Sequence, residues 1–133
     1  MSFNYREFYN RLSFEYNEES FIYKTPSGKV RKKFVKKLLS EYGKAPFLDV
    51  GCGGGEYINS LNGTSMGIDI AEGGLRRALT KFPDSSFCVG SAEDLSFIRS
   101  KYFNTILCSE VIEHIESPDL FFKEAYNLLE DDG

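Results

Sequence analysis

Hydrophobic and polar positions along the chain predict strands and helices in alternation from residue 47 onward. Four short apolar runs are predicted as strands, at Phe47–Val50, Ser65–Asp69, Ser86–Val89 and Tyr102–Cys108. Apolar positions at helical spacing predict the helices that follow these strands, near Gly55, over Glu72–Phe82, around Asp94–Ile98 and over Pro118–Glu130. Such alternation is typical of an α/β fold with a parallel sheet and right-handed crossovers.

The first 42 residues are predicted to be helical. Residues 1–28 are rich in Tyr, Phe, Asn and Glu and are interpreted as one or two short helices, and a longer helix is predicted over Lys29–Tyr42. Its apolar positions recur at helical spacing and are Val30, Phe34, Val35, Leu38 and Leu39. Its basic positions are Lys29, Arg31, Lys32, Lys33, Lys36 and Lys37. This basic face is either a solvated surface or a surface that attracts an acidic substrate, a lipid headgroup or RNA.

The first predicted strand runs directly into a glycine-rich turn. Glycines occupy positions 51, 53 and 55, where they allow sharp bends and the close approach of a ligand. Amides at the start of the following helix are expected to face that ligand. The spacing does not complete a dinucleotide fingerprint, because Glu56 stands at the third glycine place. A nicotinamide-dinucleotide binder is therefore an alternative and not the leading interpretation.

A carboxylate stands at the end of the second predicted strand. Asp69 follows Gly51 by 18 residues, close to the spacing at which an acidic residue binds a ribose diol in this kind of fold. The alternative is that Asp69 caps the helix that follows it. Because the carboxyl ends of parallel strands meet at one edge of a sheet, Asp69 and the glycine turn are expected to lie close together.

The sequence D-V-G-C-G-G-G at residues 49–55 resembles motif I of the class I S-adenosylmethionine (SAM)-dependent methyltransferases. The resemblance covers residues 40–133 and implies a Rossmann-like three-layer sandwich around a parallel sheet. The sheet of this family has seven strands in the order 3-2-1-4-5-7-6, and this chain supplies the part 3-2-1-4, so that strands 5–7 are expected to be missing. The implied organisation is an N-terminal helical segment or lid at 1–42 and an incomplete SAM-binding domain at 43–133.

The resemblance also implies which residues contact SAM. Ala92 and Glu93, after the third strand, would contact the adenine, and the alternative is that this acidic segment caps a short helix. Tyr9 and Tyr16 lie in the segment that forms a lid over SAM in relatives. The expected cofactor contacts are Asp49, Gly51, Cys52, Gly53, Gly55, Asp69, Ile70, Ala92, Glu93 and Ser109.

The fourth strand is followed by E-V-I-E-H at residues 110–114, which resembles a signature of small-molecule and quinone-precursor O-methyltransferases and of small-RNA 2′-O-methyltransferases. Some of these relatives bind a divalent cation through this group. A metal is not predicted outright, but Glu110, Glu113 and His114 are its candidates, because they would converge if the segment were a helical turn. His114 is the only histidine and therefore the default candidate for a general base.

The composition of the chain argues against several classes of function. The net charge of −4 argues against a general nucleic-acid binder. No apolar run approaches the ~20 residues of a membrane span, and the N-terminus lacks the layout of a signal peptide. The three cysteines are widely spaced and form no zinc or disulfide pattern. A cytoplasmic location is therefore expected.

The predicted function is transfer of a methyl group from SAM to an oxygen of a small-molecule acceptor. The alternative is a SAM-binding module that is not catalytic by itself or depends on a partner. Because strand 4 would be an edge at the centre of the family's sheet, a homodimer or a partner chain that covers this edge is also expected.

Overall fold

The computed structural model describes residues 4–17 and 21–133, and positions 1–3 and 18–20 of the predicted N-terminal segment lie outside the described residues. The elements in chain order are α1 (Tyr5–Glu15), α2 (Pro26–Tyr42), β1 (Phe47–Val50), β2 (Ser65–Asp69), α3 (Glu72–Lys81), β3 (Ser86–Val89), β4 (Thr105–Cys108), a 3₁₀ helix (Ile112–His114) and α4 (Pro118–Leu128).

The start of α2 is fixed by a local cap that the apolar pattern does not reveal. The Thr25 hydroxyl accepts a hydrogen bond from the Gly28 amide at 3.1 Å, and Pro26 occupies the first turn, where its missing N–H costs nothing. The helix therefore begins at Pro26, three residues before the predicted start at Lys29.

The four strands form one parallel sheet in the order β3-β2-β1-β4. Val50, the last residue of β1, lies opposite Ile68 of β2 and Cys108 of β4. The carboxyl ends of these three strands are therefore nearly level, and the segments that follow them start at one edge. The order and the parallel pairing confirm the predicted Rossmann-like α/β fold.

The core lies on both faces of the sheet, and β1 contributes to both. Leu48 and Val50 pack in a cluster with Phe121 and Leu128 of α4, while Phe47 packs with Val35 and Leu39 of α2 among others. No residue of β1 is more than 2% exposed. Burying an apolar side chain of this kind stabilises the folded state by about 1.5–3 kcal/mol. Because β1 packs on both faces of the sheet, it is the central element of the three layers.

The helix predicted near Gly55 is wrong, because the chain forms consecutive turns there. Gly51, Gly53 and Gly55 have φ angles of +77°, +49° and +78°, in the left-handed region. Three such residues in alternation prevent regular helical geometry. The backbone instead forms four-residue turns, such as the one closed by the hydrogen bond from the Ile58 amide to the Gly55 carbonyl at 3.2 Å.

The short helix predicted around Asp94–Ile98 is also wrong. The Asp94 side chain accepts a hydrogen bond from the Ser96 hydroxyl at 2.7 Å, which stabilises a turn. Strand β4 begins at Thr105 and not at Tyr102, because the Tyr102 and Phe103 amides bond to the Leu128 carbonyl at the end of α4.

Strand β4 is an edge of the sheet. It pairs with β1 on one side, and no strand among the described residues pairs with its other side. Within residues 4–17 and 21–133, no helix is long and apolar enough to cross a bilayer.

Candidate functional site

A cavity of about 840 Å³ opens at the carboxyl edge of the sheet. This volume lies within the range of pockets that bind nucleoside-sized ligands. Its walls come from the segments after all four strands and from α1 and α2. Of the predicted cofactor contacts, those that line it are Gly51, Cys52, Gly53, Asp69, Ile70, Ala92, Glu93 and Ser109.

Two predicted contacts, Asp49 and Gly55, do not line the cavity. Asp49 is 2% exposed within β1, and alternation along the strand places it on the face of Phe47. Gly55 lies behind the turn, where a Cβ would come within 3.3 Å of Phe82 and Ala78. Both residues therefore lie behind the residues that line the cavity.

The glycine turn forms the cavity wall between β1 and β4. A Cβ on Gly51 would lie 2.0 Å from Cγ2 of Val111, and a Cβ on Gly74 of α3 would lie 2.9 Å from the backbone of Gly53. A side chain at either position would displace the neighbouring segment. The glycines thus let three segments approach one another at the cavity.

Contrary to the expectation that the amides of this turn face a ligand, those of Gly51, Cys52 and Gly53 donate hydrogen bonds within the protein. The Gly51 and Cys52 amides both donate to the Ile68 carbonyl, at 2.7 and 3.0 Å. The Gly53 amide donates to Oδ2 of Asp69 at 2.8 Å. The turn packs against the end of β2 and does not continue into a helix, so these three amides form hydrogen bonds within the protein.

Asp69 connects the glycine turn to α3. Its Oδ2 accepts from Gly53, and its Oδ1 accepts from the Ala71 amide at 2.8 Å, just before α3 begins. Burial raises the pKa of Asp69, and the backbone hydrogen bonds oppose that change. The alternative prediction, that Asp69 caps the helix that follows it, is thus confirmed in part. The carboxylate also lines the cavity, and each oxygen retains a further lone pair.

Glu93 lines the cavity but also has a structural partner. Its Oε1 accepts a hydrogen bond from the Ser117 amide, the N-cap residue of α4, at 2.6 Å. The carboxylate therefore connects the segment after β3 to the start of α4. Gly90, Ser91 and Ala92 complete this part of the wall.

Helix α1 covers one side of the cavity and caps α3. The first turn of α3 has no side-chain cap of its own. Instead, Oδ1 of Asn10 accepts from the Glu72 amide at 2.9 Å, and the Ser13 hydroxyl accepts from the Gly73 amide at 3.1 Å. The sequence offered no signal for these contacts, because they join residues about 60 positions apart.

The aromatic face of α1 is directed at the cavity. Tyr5, Tyr9, Ser13 and Tyr16 all line it, which includes both tyrosines that were predicted to lie in a lid. The Tyr9 hydroxyl lies 3.3 Å from Nδ1 of His114, and the two rings meet edge to face at 5.7 Å. Contact between α1 and the segment after β4 therefore completes the cover.

The helical turn that would make Glu110, Glu113 and His114 converge does not form. Only Ile112–His114 is helical, and Glu110 has a φ of +61°. Glu110 is instead paired with Arg31 at 3.0 Å. Among the described residues, no three His, Cys, Asp or Glu side chains come together as a metal site would require.

Arg31 is a cavity residue that the sequence prediction assigned only to the basic face of α2. It lines the cavity, and among the described residues its buried Nε has no hydrogen-bond partner. A signal for it existed, because Arg31 precedes the buried Val35 and Leu39 by one and two helical turns. A cation on that row is thus expected to face inward.

Residues 48–133 match the protein family described as a methyltransferase domain, and the chain belongs to that family. The SAM-dependent methyltransferase family that motif I predicted is thereby confirmed. Magnesium protoporphyrin IX methyltransferase from Synechocystis PCC 6803, solved with bound SAH, has a similar fold. The TM-score is 0.71 at 20% identity, over 93% of this chain and 66% of that one.

Curated relatives include two ubiquinone biosynthesis O-methyltransferases. The protein from Hydrogenovibrio crunogenus is 35% identical over 96 residues, which are 67% of this chain and 39% of that protein. The protein from Nitrosomonas europaea is 26% identical over 111 residues, which are 78% of this chain and 47% of that protein. This chain thus spans less than half the length of either relative.

Asp49 gives the protein a specific dependence of stability on pH. Burial, and secondarily the charge of Asp69, raises the pKa of Asp49 to about 8. The folded state therefore binds a proton that the unfolded state releases near pH 4. We expect the free energy of unfolding to fall as the pH rises from about 4 to about 8, by about 1.4 kcal/mol for each unit of pKa difference at most.

Urea denaturation of wild type and Asp49→Asn between pH 5 and 8.5 measures this effect. The Asn variant should lose most of the slope and retain only the smaller contribution of Asp69, whose pKa is raised in the same direction. The exposed Asp94→Asn variant is the control. Equal slopes in wild type and Asp49→Asn would contradict the assignment.

The cap that α1 provides to α3 can be tested with Ser13→Ala. Removing the hydroxyl leaves the Gly73 amide without its acceptor, and loss of a helix cap costs about 1 kcal/mol. We expect the melting temperature to fall by about 4 °C in calorimetry. Ser40→Ala is the matched control, because Ser40 donates to the Lys37 carbonyl on the exposed side of α2. Equal losses in the two variants would contradict the capping role.

Proposed function

We propose that this chain forms the SAM-binding part of a methyltransferase that acts on an oxygen of a small-molecule acceptor. The observation that carries the proposal is the cavity at the carboxyl edge of the sheet, where the half-buried Asp69 carboxylate is fixed against the glycine turn. This arrangement matches a ligand with a ribose diol beside a compact, positively charged tail.

The residues present fit SAM in shape and in charge. Asp69 would accept hydrogen bonds from the ribose hydroxyls with its remaining lone pairs. The wall of Gly90, Ser91 and Ala92 would take the adenine. The Cys52 carbonyl of the glycine turn accepts a hydrogen bond from the Gly55 amide at 2.8 Å. The remaining lone pairs of the turn's carbonyl groups would meet the ammonium group of the tail.

Arg31 supports the assignment at the other end of the ligand. The carboxylate of the SAM tail needs a cation, and Arg31 is at the cavity with an unused buried Nε–H. The ion pair with Glu110 would hold the guanidinium in place, with the remaining donors free for a second carboxylate. Ile70 and Ser109 would contact the ligand between its two ends.

When bound, SAM supplies an electrophilic methyl group, and the chain's main task would be to position it and to exclude water. Covering of the cavity by Tyr5, Tyr9 and Tyr16 serves that purpose. If His114 donates its Nδ1 proton to the Tyr9 hydroxyl, its Nε2 is free to take a proton from an acceptor hydroxyl. His114 would then be the general base and Tyr9 would orient it.

An oxygen acceptor is supported by the relatives. Those from Hydrogenovibrio crunogenus and Nitrosomonas europaea are named as O-methyltransferases of ubiquinone biosynthesis. The proposed acceptor class is a small molecule with an ionisable hydroxyl. The proposed division into a lid at 1–42 and a SAM-binding domain at 43–133, and a cytoplasmic location, complete this proposal.

Asp69→Ala tests the cofactor assignment by calorimetric titration with SAM. Loss of charge-assisted hydrogen bonds, worth about 1.5–3 kcal/mol each, should weaken binding at least about tenfold. The exposed Asp84→Ala is the matched control, and circular dichroism verifies that each variant is folded. Unchanged affinity would remove the ribose assignment. Tighter binding of NAD than of SAM by the wild type would favour the dinucleotide alternative.

His114→Gln tests the catalytic assignment in a methyl-transfer assay with phenolic acceptors. Glutamine cannot take the proton, so the rate should fall about 100-fold while SAM affinity stays the same. Tyr9→Phe should cause a smaller loss. An unchanged rate in His114→Gln would exclude His114 as the base.

The same assay decides the second candidate function, a SAM-binding module that is not catalytic or needs a partner. The outer side of β4 has no strand partner among the described residues. We propose that a second copy or a partner chain covers this edge. SAM binding without methyl transfer, together with a dimer in light scattering, would support the module. Methyl transfer by a monomer would contradict it.

A further inference from the structure

Helix α2 has an exposed apolar face that the proposed function does not use. Val35 and Leu39 are buried against the sheet, as an amphipathic helix requires. About 100° around the helix from that buried row, Val30, Phe34 and Leu38 follow one another at intervals of four residues and are 70%, 59% and 40% exposed. Residues at this spacing form a continuous row, which we call the outer stripe.

Lysines flank the outer stripe. Lys29, Lys33 and Lys37 form a second row that precedes the stripe by one residue at each turn. Within the described part of the chain, neither Lys29 nor Lys33 has an ion-pair partner, and Lys37 is within 3.7 Å of Glu41. By contrast, Lys32 and Lys36 are paired with Glu56 on the inner side.

Charge is distributed very unevenly between α2 and the rest of the chain. The helix carries six of the sixteen basic residues but only one of the twenty acidic residues, Glu41. The chain as a whole has a net charge of −4. An anionic surface would therefore attract α2 and repel the remainder, and this fixes the orientation in which the protein would approach.

We propose that the outer stripe of α2 docks on an anionic lipid surface. A helix with an apolar row and flanking lysines lies in the plane of a bilayer interface, with the apolar row inserted and the lysines at the headgroups. Long lysine side chains reach the headgroups while their methylene groups cover apolar surface. This proposal goes beyond methyl transfer and does not depend on it.

Nucleic acid and a second copy of the chain explain less of this face. Phosphate backbone would engage the lysines but leave Val30, Phe34 and Leu38 in water. A second copy would bury the apolar row but bring two rows of lysines together, which is unfavourable. Of these three occupants, only an anionic lipid surface contacts both the apolar row and the lysines favourably. Since Arg31 of the same helix lines the cavity, docking would place the cavity next to the membrane surface.

The absence of tryptophan from the chain permits a direct test. Phe34→Trp introduces a single tryptophan into the outer stripe, and Phe122→Trp places one on α4, at positions of nearly equal exposure, 59% against 57%. Vesicles of phosphatidylglycerol and phosphatidylcholine should shift the emission of Phe34→Trp to shorter wavelength and leave Phe122→Trp unchanged. Pure phosphatidylcholine vesicles should shift neither. Equal shifts in both variants, or none in Phe34→Trp, would overturn the proposal.

Cosedimentation with the same vesicles tests the energetic contribution. The variant K33E/F34S should bind at least about tenfold more weakly than wild type, because it loses an inserted side chain and reverses a charge. The variant F122S/K123E changes the same residue types and should bind like wild type. The variant K29E/K33E keeps the apolar row and should also bind more weakly than wild type. It tests the proposal even if K33E/F34S does not fold.

Other outcomes identify other occupants and overturn the proposal. Vesicle binding that K33E/F34S and F122S/K123E weaken equally would exclude α2 as the docking surface. Self-association in the absence of lipid that Phe34→Ser abolishes would assign the stripe to a second copy. Binding of single-stranded RNA without binding of phosphatidylglycerol vesicles would assign the lysines to nucleic acid.

Discussion

The Asp69 carboxylate accepts one backbone amide from the glycine turn and one from the start of α3, and the shape of the cavity depends on this pair of hydrogen bonds. A buried polar group that loses its partner costs about 1–3 kcal/mol, so both segments are fixed where β2 ends. The turn can follow this path only because Gly51 and Gly53 adopt left-handed conformations. The Asp69 side chain thus fixes two walls of the cavity by hydrogen bonds and also lines the cavity itself.

The cover of the cavity is built from the far N-terminal part of the described chain. Helix α1 is joined to α3 through Asn10 and Ser13 and to the segment after β4 through Tyr9 and His114. It therefore reaches from one side of the cavity to the other. The amides at the start of α3 would otherwise lack side-chain acceptors, so the stability of α3 and the closure of the cavity are coupled.

Charged residues near the site have distinct physical roles. Asp49 is buried behind the cavity, and burial, together with the charge of Asp69, raises its pKa to about 8. Arg31 brings a cation to the cavity from the inner side of α2 and is held by Glu110. Lys32 and Lys36 on that helix bind Glu56, while the outer lysines remain in solvent. The position of a basic residue around α2 thus determines whether it lines the cavity, pairs with Glu56 or lies in solvent.

The sequence by itself determined the strands, because apolar periodicity is a local pattern. The glycine turn is also a local pattern, and its resemblance to motif I gave the family and, through the family, the sheet order. It also placed Asp69 and the glycine turn at one edge, since parallel strands align their carboxyl ends. Only the tertiary structure decided that amides of the turn are used internally, that Glu110 pairs with Arg31, and that α1 caps α3. Each of these depends on contacts between residues far apart in the chain, and local patterns carry no information about such partners.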